Sequence, residues 1–422
     1  ALSNEVALGD NANLAQSIAV TIGALEATNL SGSDLTLAQQ IATKADQFLD
    51  NQAVGYAAFV DPGLGVFYGS VNSSNGVFNP DYHIDRLANE FRGAVAFLKV
   101  RYPSLPDTVW SGLQVVTANY TDRNGEVIGN LANWDGSAFQ IFWPMLRNDE
   151  RDFIGFRNAL YNQLVTQLDY AYQNNIPGIL SASLRPENGY YGCIGIPQIA
   201  ESAMDGTSSL VFDVGSTYAL ASAMDIDIYA VLGWLDSIDY LSNVHGTYGF
   251  YDSARSASEI GYEFIGIDVA SMILGLSGTG PDDFEVYLRN RNLSENYNQL
   301  YDEASQRINL SRTDAVIANA PEFPDRSRAV FSNFSVETSS SNFPTNPTQI
   351  YGVNFVYGSL TGGTGGRTWT LSQDYDAQAN QLIVHYSVVD SPQSIKIELR
   401  DASNQLLYTI TQPLVNGAEF GK

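Results

Sequence analysis

Cysteine is almost absent from this chain of 422 residues, in which Cys193 stands alone. A single thiol cannot form an intrachain disulfide bond, and it excludes a zinc site built from several cysteines. Histidine is nearly as rare, because His83, His245 and His385 lie far apart in the sequence. We therefore expect no histidine-rich metal centre and no Ser-His-Asp triad. No cofactor is predicted, although the many acidic residues leave open whether the protein binds calcium.

Basic residues are also scarce in this sequence. Lys and Arg number 21 against 46 Asp and Glu, which gives a net charge of −25 and a pI of about 4.2. Such a charge repels nucleic acids and anionic membrane surfaces, so we expect neither as a partner. No apolar run reaches the roughly 18 residues of a membrane-spanning helix, so we expect no membrane insertion. The charge is compatible with a neutral polysaccharide or oligosaccharide ligand.

The composition favours an extracellular location. The chain begins at Ala1 rather than Met, which suggests a cleaved leader. It is poor in Lys and rich in Asn, Ser, Thr, Gly and Tyr, which indicates a secreted protein or one at the extracellular surface. Asn-x-Ser/Thr acceptors for glycosylation occur at Asn29, Asn72, Asn119, Asn292, Asn309 and Asn333, and their use stays open.

Apolar residues recur at helical spacing through the first three quarters of the chain. This spacing predicts helices at residues 11–30, 35–51, 85–101, 153–173, 214–223, 226–241, 265–276 and 283–305. We expect Asp34 to cap the second helix and residues 54–78 to form a hairpin or a long loop. Paired helices without regular alternation of strands and helices predict a mainly α fold, an α-helical toroid.

The sequence changes character after residue 320. Prolines bracket a polar run and predict a linker over residues 321–347. Alternating apolar residues then predict strands at 349–357, 368–372, 382–389, 394–400 and 406–412. We therefore expect a helical domain at 1–320, the linker, and a small C-terminal β-sandwich at 348–422. The strand edges of a sandwich can pair with another copy, so self-assembly through this domain is open.

Aromatic, small and acidic residues alternate at loop-like spacing between Asn133 and Pro197. Trp134, Asp135 and Gly136 open this stretch, and an aromatic and glycine-rich turn follows the long helix predicted at 153–173. Aromatic faces can cover the apolar faces of sugars, while carboxylates and amides bind their hydroxyls. The composition is therefore typical of a pocket rim for a polyhydroxylated ligand.

This stretch resembles the glycoamylase-like domain family, which includes β-1,2-glucan-acting glycoside hydrolases and the C-terminal part of cyclic β-glucan synthases. The family pattern is roughly Trp-x-Gly-x-x-Phe-Glu-Tyr, then a Gly-Ile/Phe-Ser-x-Ser loop and a Tyr-Gly-x-x-Gly-x-Pro turn. The matching residues are Trp134, Gly136, Phe139, Gly178, Ser181, Ser183, Tyr191, Gly192, Gly195 and Pro197. The blocks at 86–92 and 248–252 fit in the same order. The family's glutamate after Phe is Gln140 here.

The resemblance implies an (α/α)6 toroid whose rim loops form a carbohydrate site. It also implies glycoside hydrolysis, which in an inverting enzyme uses one protonated and one ionised carboxyl about 6.5–9.5 Å apart. The candidate catalytic carboxyls are Glu90, Asp135, Asp252 and Asp268. The candidate substrate-binding residues are Trp134, Gln140, Glu187, Tyr190, Tyr191, Tyr248 and Tyr251.

The acidic candidates also have purely structural interpretations. Glu90 is either a pocket carboxylate or the partner of Arg86 in a surface ion pair on the predicted helix. Asp135 is either a general acid in dry surroundings or a turn residue. Asp268 is either a buried base or a helix cap, and Glu187 either contacts the ligand or is solvated. The aromatic candidates are either sugar platforms or core residues.

Gln140 separates the functional hypotheses. An amide cannot exchange a proton at neutral pH, although it can bind a hydroxyl. If the chain is active, we expect an inverting glycoside hydrolase of β-glucan-type polysaccharides. If the missing glutamate is essential, the chain is a catalytically degenerate relative that serves as an extracellular surface, matrix or filament subunit. A lectin without turnover is the third hypothesis.

Overall fold

The computed structural model describes residues 4–319, except 205, 207–208, 240–243, 247 and 257 and the side chain of 188. Beyond these it describes the backbone of the strands at 334–337, 348–350, 353–355, 366–369, 393–400 and 406–414. The chain divides into two compact units, Ala1–Ala320 and Pro321–Lys422.

The first unit is mainly helical. Its helices are α1 (Leu8–Ala27), α2 (Gly32–Asp50), α3 (Ala53–Ala58), α4 (Arg92–Arg101), α5 (Thr108–Ser111), α6 (Ala138–Phe142), α7 (Ile154–Asn174), α8 (Glu201–Met204), α9 (Tyr218–Ser222), α10 (Ile228–Asp239), α11 (Gly266–Ser277), α12 (Gly280–Asn290) and α13 (Ser294–Arg307). Short 3₁₀ turns occupy Trp143–Leu146, Glu150–Asp152 and Pro197–Ile199. In the described residues no helix combines the length and apolar character needed to cross a membrane.

Short strands connect the helices of this unit. They are β1 (Glu5–Ala7), β2 (Phe67–Tyr68), β3 (Ser70–Asn72), β4 (Val77–Phe78), β5 (His83–Ile84), β6 (Thr117–Thr121), β7 (Val127–Leu131), β8 (Ser183–Arg185), β9 (Asn188–Tyr191), β10 (Gly215–Ser216), β11 (His245–Gly246), β12 (Gly249–Phe250), β13 (Ser253–Ser256) and β14 (Glu259–Gly261). The antiparallel sheets have the orders β1-β3-β4, β2-β5, β6-β7, β8-β9, β10-β13-β14 and β11-β12.

Helix packing places the segments that carry the candidate residues. α1 packs against α2, α4 and α12, while α9 packs against α11. α7 is the most deeply buried long helix of the described residues, and its predicted stripe of Phe156, Leu160, Leu164 and Leu168 is buried, whereas Tyr172 is exposed. Burial stabilises each such apolar side chain by about 1.5–3 kcal/mol, so this stripe anchors the loops at the ends of α7.

Several predicted helices are confirmed within a few residues. Those at 11–30, 35–51, 153–173 and 265–276 correspond to α1, α2, α7 and α11. The predicted cap at Asp34 is wrong, because Ser31 occupies the N-cap position and Asp34 lies in the first turn. Residues 54–78 contain most of α3 as well as the strands β2, β3 and β4.

The helix predicted at 85–101 begins only at Arg92. The side chain of Asn89 bonds the local backbone, donating to the carbonyl of Arg86 and accepting from the N–H of Phe91. Leu87 donates its N–H to the Gln114 carbonyl instead of to a helical partner. Asn bonds of this kind compete with helix formation, which accounts for the irregular segment.

The predicted surface pair of Arg86 and Glu90 is also wrong. Arg86 binds Glu201 at 2.8 Å and Asp85 at 2.6 Å. Without a helix in this segment, the four-residue spacing does not bring Arg86 and Glu90 together. The helix predicted at 283–305 is likewise divided into α12 and α13, because Asn292 adopts a left-handed φ of 56° between them.

The second unit is described only by its paired strands. β15 (Phe334–Glu337) pairs with β18 (Gly366–Trp369), β16 (Thr348–Ile350) with β17 (Val353–Phe355), and β19 (Gln393–Arg400) with β20 (Leu406–Leu414). The strands predicted at 394–400 and 406–412 are therefore confirmed. The strand at 382–389 and most of the linker lie outside the described residues, so the β-sandwich remains a prediction.

Candidate active site

Two glycines allow the loop of Asp135 to pack directly on the loop before Pro197. Gly136 has a φ of 71°, and a Cβ atom there would lie 2.2 Å from the carbonyl oxygen of Ile196. A Cβ atom on Gly195 would lie 2.0 Å from the carbonyl oxygen of Asp135. Any larger residue would separate the two backbones, so these glycines fix the position of Asp135.

Arg92 holds the segments of Glu90 and Gln140 next to each other. This buried side chain donates to the carbonyl oxygens of Asn89 at 3.1 Å and Gln140 at 2.9 Å. Its charge is balanced by Glu150, which it contacts at 2.5 and 2.8 Å. A guanidinium with this many bonds fixes the loop and the start of α6 in one geometry.

Glu90 is partly buried, and its surroundings favour the protonated form. Burial raises its pKa to about 7, and the charge of Asp10 adds to this, while a hydrogen bond from the Gln140 side chain and the charge of Arg92 act in the opposite direction. Among the described residues, Oε2 of Glu90 and Oε1 of Gln140 are buried without a hydrogen-bond partner. Both oxygens are therefore available to a ligand.

Asp135 shares this electrostatic environment. It is buried, and its Oδ1 accepts from the N–H of Ser137 at 3.1 Å, so its predicted turn role is present. Burial raises the pKa of Asp135 well above its ordinary value, and the charge of Glu90 raises it further. Asp135 and Glu90 therefore disfavour each other's ionisation.

Asp252 and Asp268 form a second group of buried carboxyls. Asp252 precedes β13 and accepts the N–H of Leu184 at 2.5 Å through Oδ2. Asp268 lies in the first turn of α11, where Ile265 is the N-cap residue, so the predicted cap role is wrong. Among the described residues, Oδ1 of Asp252 and both oxygens of Asp268 have no donor.

A proton shared between the two carboxyls accounts for Oδ1 of Asp252 and one oxygen of Asp268. Burial raises the pKa of both groups, and the interaction with Asp252 raises that of Asp268 further, whereas hydrogen bonds from Asp268 and Leu184 lower that of Asp252. We therefore assign the proton to Asp268 and the negative charge to Asp252. Two carboxyls in contact cannot both ionise without a large cost.

Tyr190 interacts electrostatically with both groups of carboxyls. Burial of its hydroxyl raises the pKa of Tyr190, and Asp268, Asp252 and Glu90 raise it further in that order. Carboxyls from both groups therefore affect the pKa of this one phenol, even though 45% of the residue is exposed to solvent. The candidate catalytic residues Glu90, Asp252 and Asp268 therefore all lie within electrostatic reach of one tyrosine, and Asp135 lies within reach of Glu90.

Tyr218 supports the Asp268 side of the site, and no sequence motif indicated it. Its hydroxyl donates to the Ala182 carbonyl at 2.7 Å and lies 2.9 Å from Oγ of Ser181. Burial and the charge of Asp268 raise the pKa of Tyr218 well above its ordinary value. The predicted Ser181 loop therefore contacts the site through a buried tyrosine of α9.

The remaining candidates lie in more exposed places. The Trp134 side chain is 51% exposed beside Asp135. The hydroxyl of Tyr191 donates to the Ser209 carbonyl at 2.9 Å, and the Arg185 guanidinium stacks on its ring at 4.6 Å. The Trp134 side chain is therefore accessible, and Tyr191 is held in place at the surface. Neither is a core residue.

Glu187 differs from the four buried acids. It is exposed and forms an ion pair with Arg255 at 2.8 Å, which lowers its pKa. Arg255 also binds Asp213 at 2.9 Å, so the carboxylate belongs to a surface network. Among the described residues, no group of three His, Cys, Asp or Glu side chains is arranged to hold a metal ion.

Tyr248 and Tyr251 belong to one aromatic cluster. The Tyr251 ring lies 5.1 Å from the rings of Tyr262 and Phe264, and Tyr248 lies 6.0 Å from Phe264. Tyr262 and Phe264 were missed in the sequence, although their alternating spacing could have indicated one exposed face. The cluster adjoins Asp252, whose N–H donates to the Glu263 carbonyl at 3.1 Å.

Comparison with solved structures relates this fold to known proteins. Neither protein-family models nor curated protein sequences give a match. The chain is similar to the endo-β-1,2-glucanase from Talaromyces funiculosus in complex with sophorose, with a TM-score of 0.64 and 18% identity over 77% of this chain and 69% of that one. A Glu-to-Gln variant of that enzyme in complex with β-1,2-glucan gives the same values.

A candidate glucoamylase from Bacteroides caccae is also similar, with a TM-score of 0.53 and 17% identity over 70% of this chain and 71% of that one. At these identities the likeness shows the fold. The resemblance to the glycoamylase-like family and to its β-1,2-glucan-acting relatives is therefore confirmed at the level of the fold.

Proposed function

We propose that this protein is a secreted, glycoside hydrolase-like protein that binds and cleaves a β-glucan-type polysaccharide. The observation that carries the proposal is a pair of buried oxygens on neighbouring side chains, Oε2 of Glu90 and Oε1 of Gln140, that have no hydrogen-bond partner among the described residues. Buried polar atoms are nearly always paired, so two unpaired oxygens in one place favour a ligand rich in hydroxyls. The shared fold with an endo-β-1,2-glucanase supports the same ligand class.

The proposal includes an architecture for the whole chain. We propose that the first unit is an (α/α)6 toroid with the carboxyls at one end, and that the second unit is a β-sandwich. The boundary near residue 320 is compatible with the linker predicted at 321–347.

In the proposed reaction, Glu90 is the general acid and Asp252 the general base. Glu90 donates its proton to the glycosidic oxygen while the bond from that oxygen to the anomeric carbon breaks. A water molecule forms the new bond to the anomeric carbon and gives its proton to Asp252. The pKa of Glu90 near 7 keeps much of it protonated at neutral pH, and Asp268 holds Asp252 in the ionised state.

Substitution of the two carboxyls tests this assignment. We expect Glu90→Gln and Asp252→Asn each to reduce the release of reducing ends from β-1,2-glucan by at least about 100-fold, the usual size of a general acid or base contribution. Circular dichroism should show intact folds. The matched controls Glu303→Gln and Asp302→Asn change exposed carboxyls of α13 and should retain turnover. Full activity of both site variants would remove the assignment.

A second function is favoured by Gln140. Position 140 carries an amide where the resemblance places a glutamate, and this amide bonds Glu90. On this alternative the chain is a catalytically degenerate relative that binds glucan without cleavage and serves as an extracellular surface, matrix or filament subunit. Self-assembly through the second unit would then be its main activity.

Binding, turnover and size distinguish the two functions. Calorimetric titration with β-1,2-glucan, a reducing-end assay and light scattering are made on the same full-length sample. Turnover by a particle of the monomer mass supports the hydrolase. Binding without turnover, together with regular high-mass particles, supports the degenerate subunit. Absence of both binding and turnover would contradict a glucan-directed function of either kind.

A further inference from the structure

An exposed aromatic surface adjoins Asp252 along the backbone. It consists of Tyr248, Tyr251, Tyr262 and Phe264, and we call it the aromatic patch. The side chains of Tyr248, Tyr262 and Phe264 are 85%, 56% and 38% exposed. Exposed aromatic side chains that contact one another form a concentrated apolar surface, which is typical of a binding site.

The patch is held rigidly by the backbone of the site. Tyr251 donates its N–H to the Val244 carbonyl at 2.8 Å, and its own carbonyl accepts from Oγ1 of Thr217 at 3.0 Å. The Asp252 N–H binds the Glu263 carbonyl between Tyr262 and Phe264. The backbone that carries Tyr251, Tyr262 and Phe264 is therefore tied to Asp252, so ligand binding does not have to order this part of the chain.

We infer that the aromatic patch binds sugar units of a neutral glucan chain beyond those held by the carboxyls, so that the protein selects long chains over short ones. This inference rests on the proposed function. Three tyrosines and one phenylalanine offer flat faces together with hydroxyls, which suit the alternating apolar and polar surfaces of a sugar. The net charge of −25 disfavours an anionic chain on the same surface.

The position of the patch argues for the same ligand. Its backbone neighbour Asp252 belongs to the carboxyls of the candidate site, so one polymer can contact the patch and the site at once. On this inference, a long chain covers rings that a disaccharide at the carboxyls leaves free. The patch therefore favours long chains over short ones.

The test compares affinities for sophorose and for a long linear β-1,2-glucan by calorimetry. We expect Tyr248→Ala to lower the ratio of polymer affinity to sophorose affinity by about tenfold, whereas Tyr248→Phe keeps the ring and keeps the ratio. Tyr262→Ala should act in the same direction. Phe48→Ala removes an exposed ring from α2 and is the matched control. The high exposure of Tyr248 makes unfolding of its variant unexpected, and thermal melting verifies this.

Each outcome decides the inference. A ratio that falls in Tyr248→Ala and stays constant in Tyr248→Phe and Phe48→Ala supports it. An unchanged ratio in Tyr248→Ala, or equal loss for both ligands, overturns the inference and leaves the proposed function intact. If the unaltered protein binds neither ligand, the proposed function fails, and the inference fails with it.

Discussion

The buried carboxyls of the site cost folding free energy when they are ionised. Glu90 titrates near 7 in the folded protein and near 4.5 when it is exposed. Between these values the folded chain binds a proton that the unfolded chain has released, so the free energy of unfolding falls as the pH rises. The penalty is complete above pH 7 and absent below about pH 4.5. We place it at about 1–3 kcal/mol for Glu90.

Asp268→Asn should make the protein more stable at high pH. The amide can donate a hydrogen bond to Asp252 in place of the shared proton, and it carries no ionisable group. The pKa of Asp268 is raised from 3.8 to about 10, so the cost to the free energy of unfolding begins as the pH rises above 3.8, is already large at pH 8 and is absent at low pH. We expect the melting temperature at pH 8 to rise by about 2–4 °C and the difference to vanish near pH 4.

Asp302→Asn is the control for this measurement, because Asp302 is exposed on α13. It should leave the melting temperature almost unchanged at both pH values. A lower melting temperature of Asp268→Asn at pH 8 would show that Asp268 stabilises the fold as an ionised group, contrary to our assignment.

Gln140→Glu should change the pH dependence of catalysis. A carboxyl at position 140 would add a like charge next to Glu90 and remove the amide hydrogen bond that lowers its pKa. We expect the alkaline limb of kcat/KM for β-1,2-glucan to move from near pH 7 to higher pH by about one unit. An unchanged limb would mean that Glu90 is not the acid. Turnover that appears only in this variant would support the degenerate relative.

At the scale of elements, the segment before α4 shows what the sequence could predict. The spacing of apolar residues from 87 to 98 indicated a helix, and its second part is confirmed as α4. The first part is irregular because Asn89 bonds its own backbone, a local competition that hydrophobic spacing does not contain. Glu90 was nevertheless selected as a site candidate through the resemblance.

Contacts between elements were harder to predict than the elements themselves. The pairing of Asp252 with Asp268 depends on how α11 packs on α9 and on where β13 begins after the β11-β12 hairpin. The sequence around either residue does not indicate that the other lies next to it. The contacts of Arg92 with backbone carbonyls were equally hard to predict, because every residue carries the same carbonyl oxygen whatever its side chain. Sequence motifs indicated the loops of the site but not the contacts that join them.

Arg92→Met should strongly destabilise the first unit. The substitution leaves the Glu150 carboxylate buried without its cation, and it frees the carbonyl oxygens that join the Glu90 segment to α6. We expect a loss of about 3–5 kcal/mol in the free energy of unfolding, measured by urea denaturation.

The control is Arg151→Met, which removes a more exposed guanidinium whose ion pairs are 3.6 and 3.9 Å long. Exposed pairs contribute about 0–1 kcal/mol, so the control should unfold near the midpoint of the unaltered protein. Equal losses in both variants would contradict a special role of the buried pair.

At the scale of the whole molecule, composition and fold are compatible with the glucan that we propose as the ligand. The charge of −25 disfavours nucleic acids and anionic surfaces, and the fold is shared with a protein that acts on a neutral glucan. The helical character of the first unit was predictable because apolar spacing repeats along the chain. The change to prolines and alternating residues near 320 predicts a domain boundary there, and the division of the chain into two compact units is compatible with that prediction.

We propose above all that Glu90 and Asp252 cleave a β-glucan with inversion. Proton NMR of the reaction with β-1,2-glucan tests it most directly, because the anomeric signal of the first product reports the stereochemistry before mutarotation. The account predicts initial release of the α-anomer by the unaltered protein and no release by Asp252→Asn. Initial release of the β-anomer, or an α-anomer signal that persists in Asp252→Asn, would contradict it.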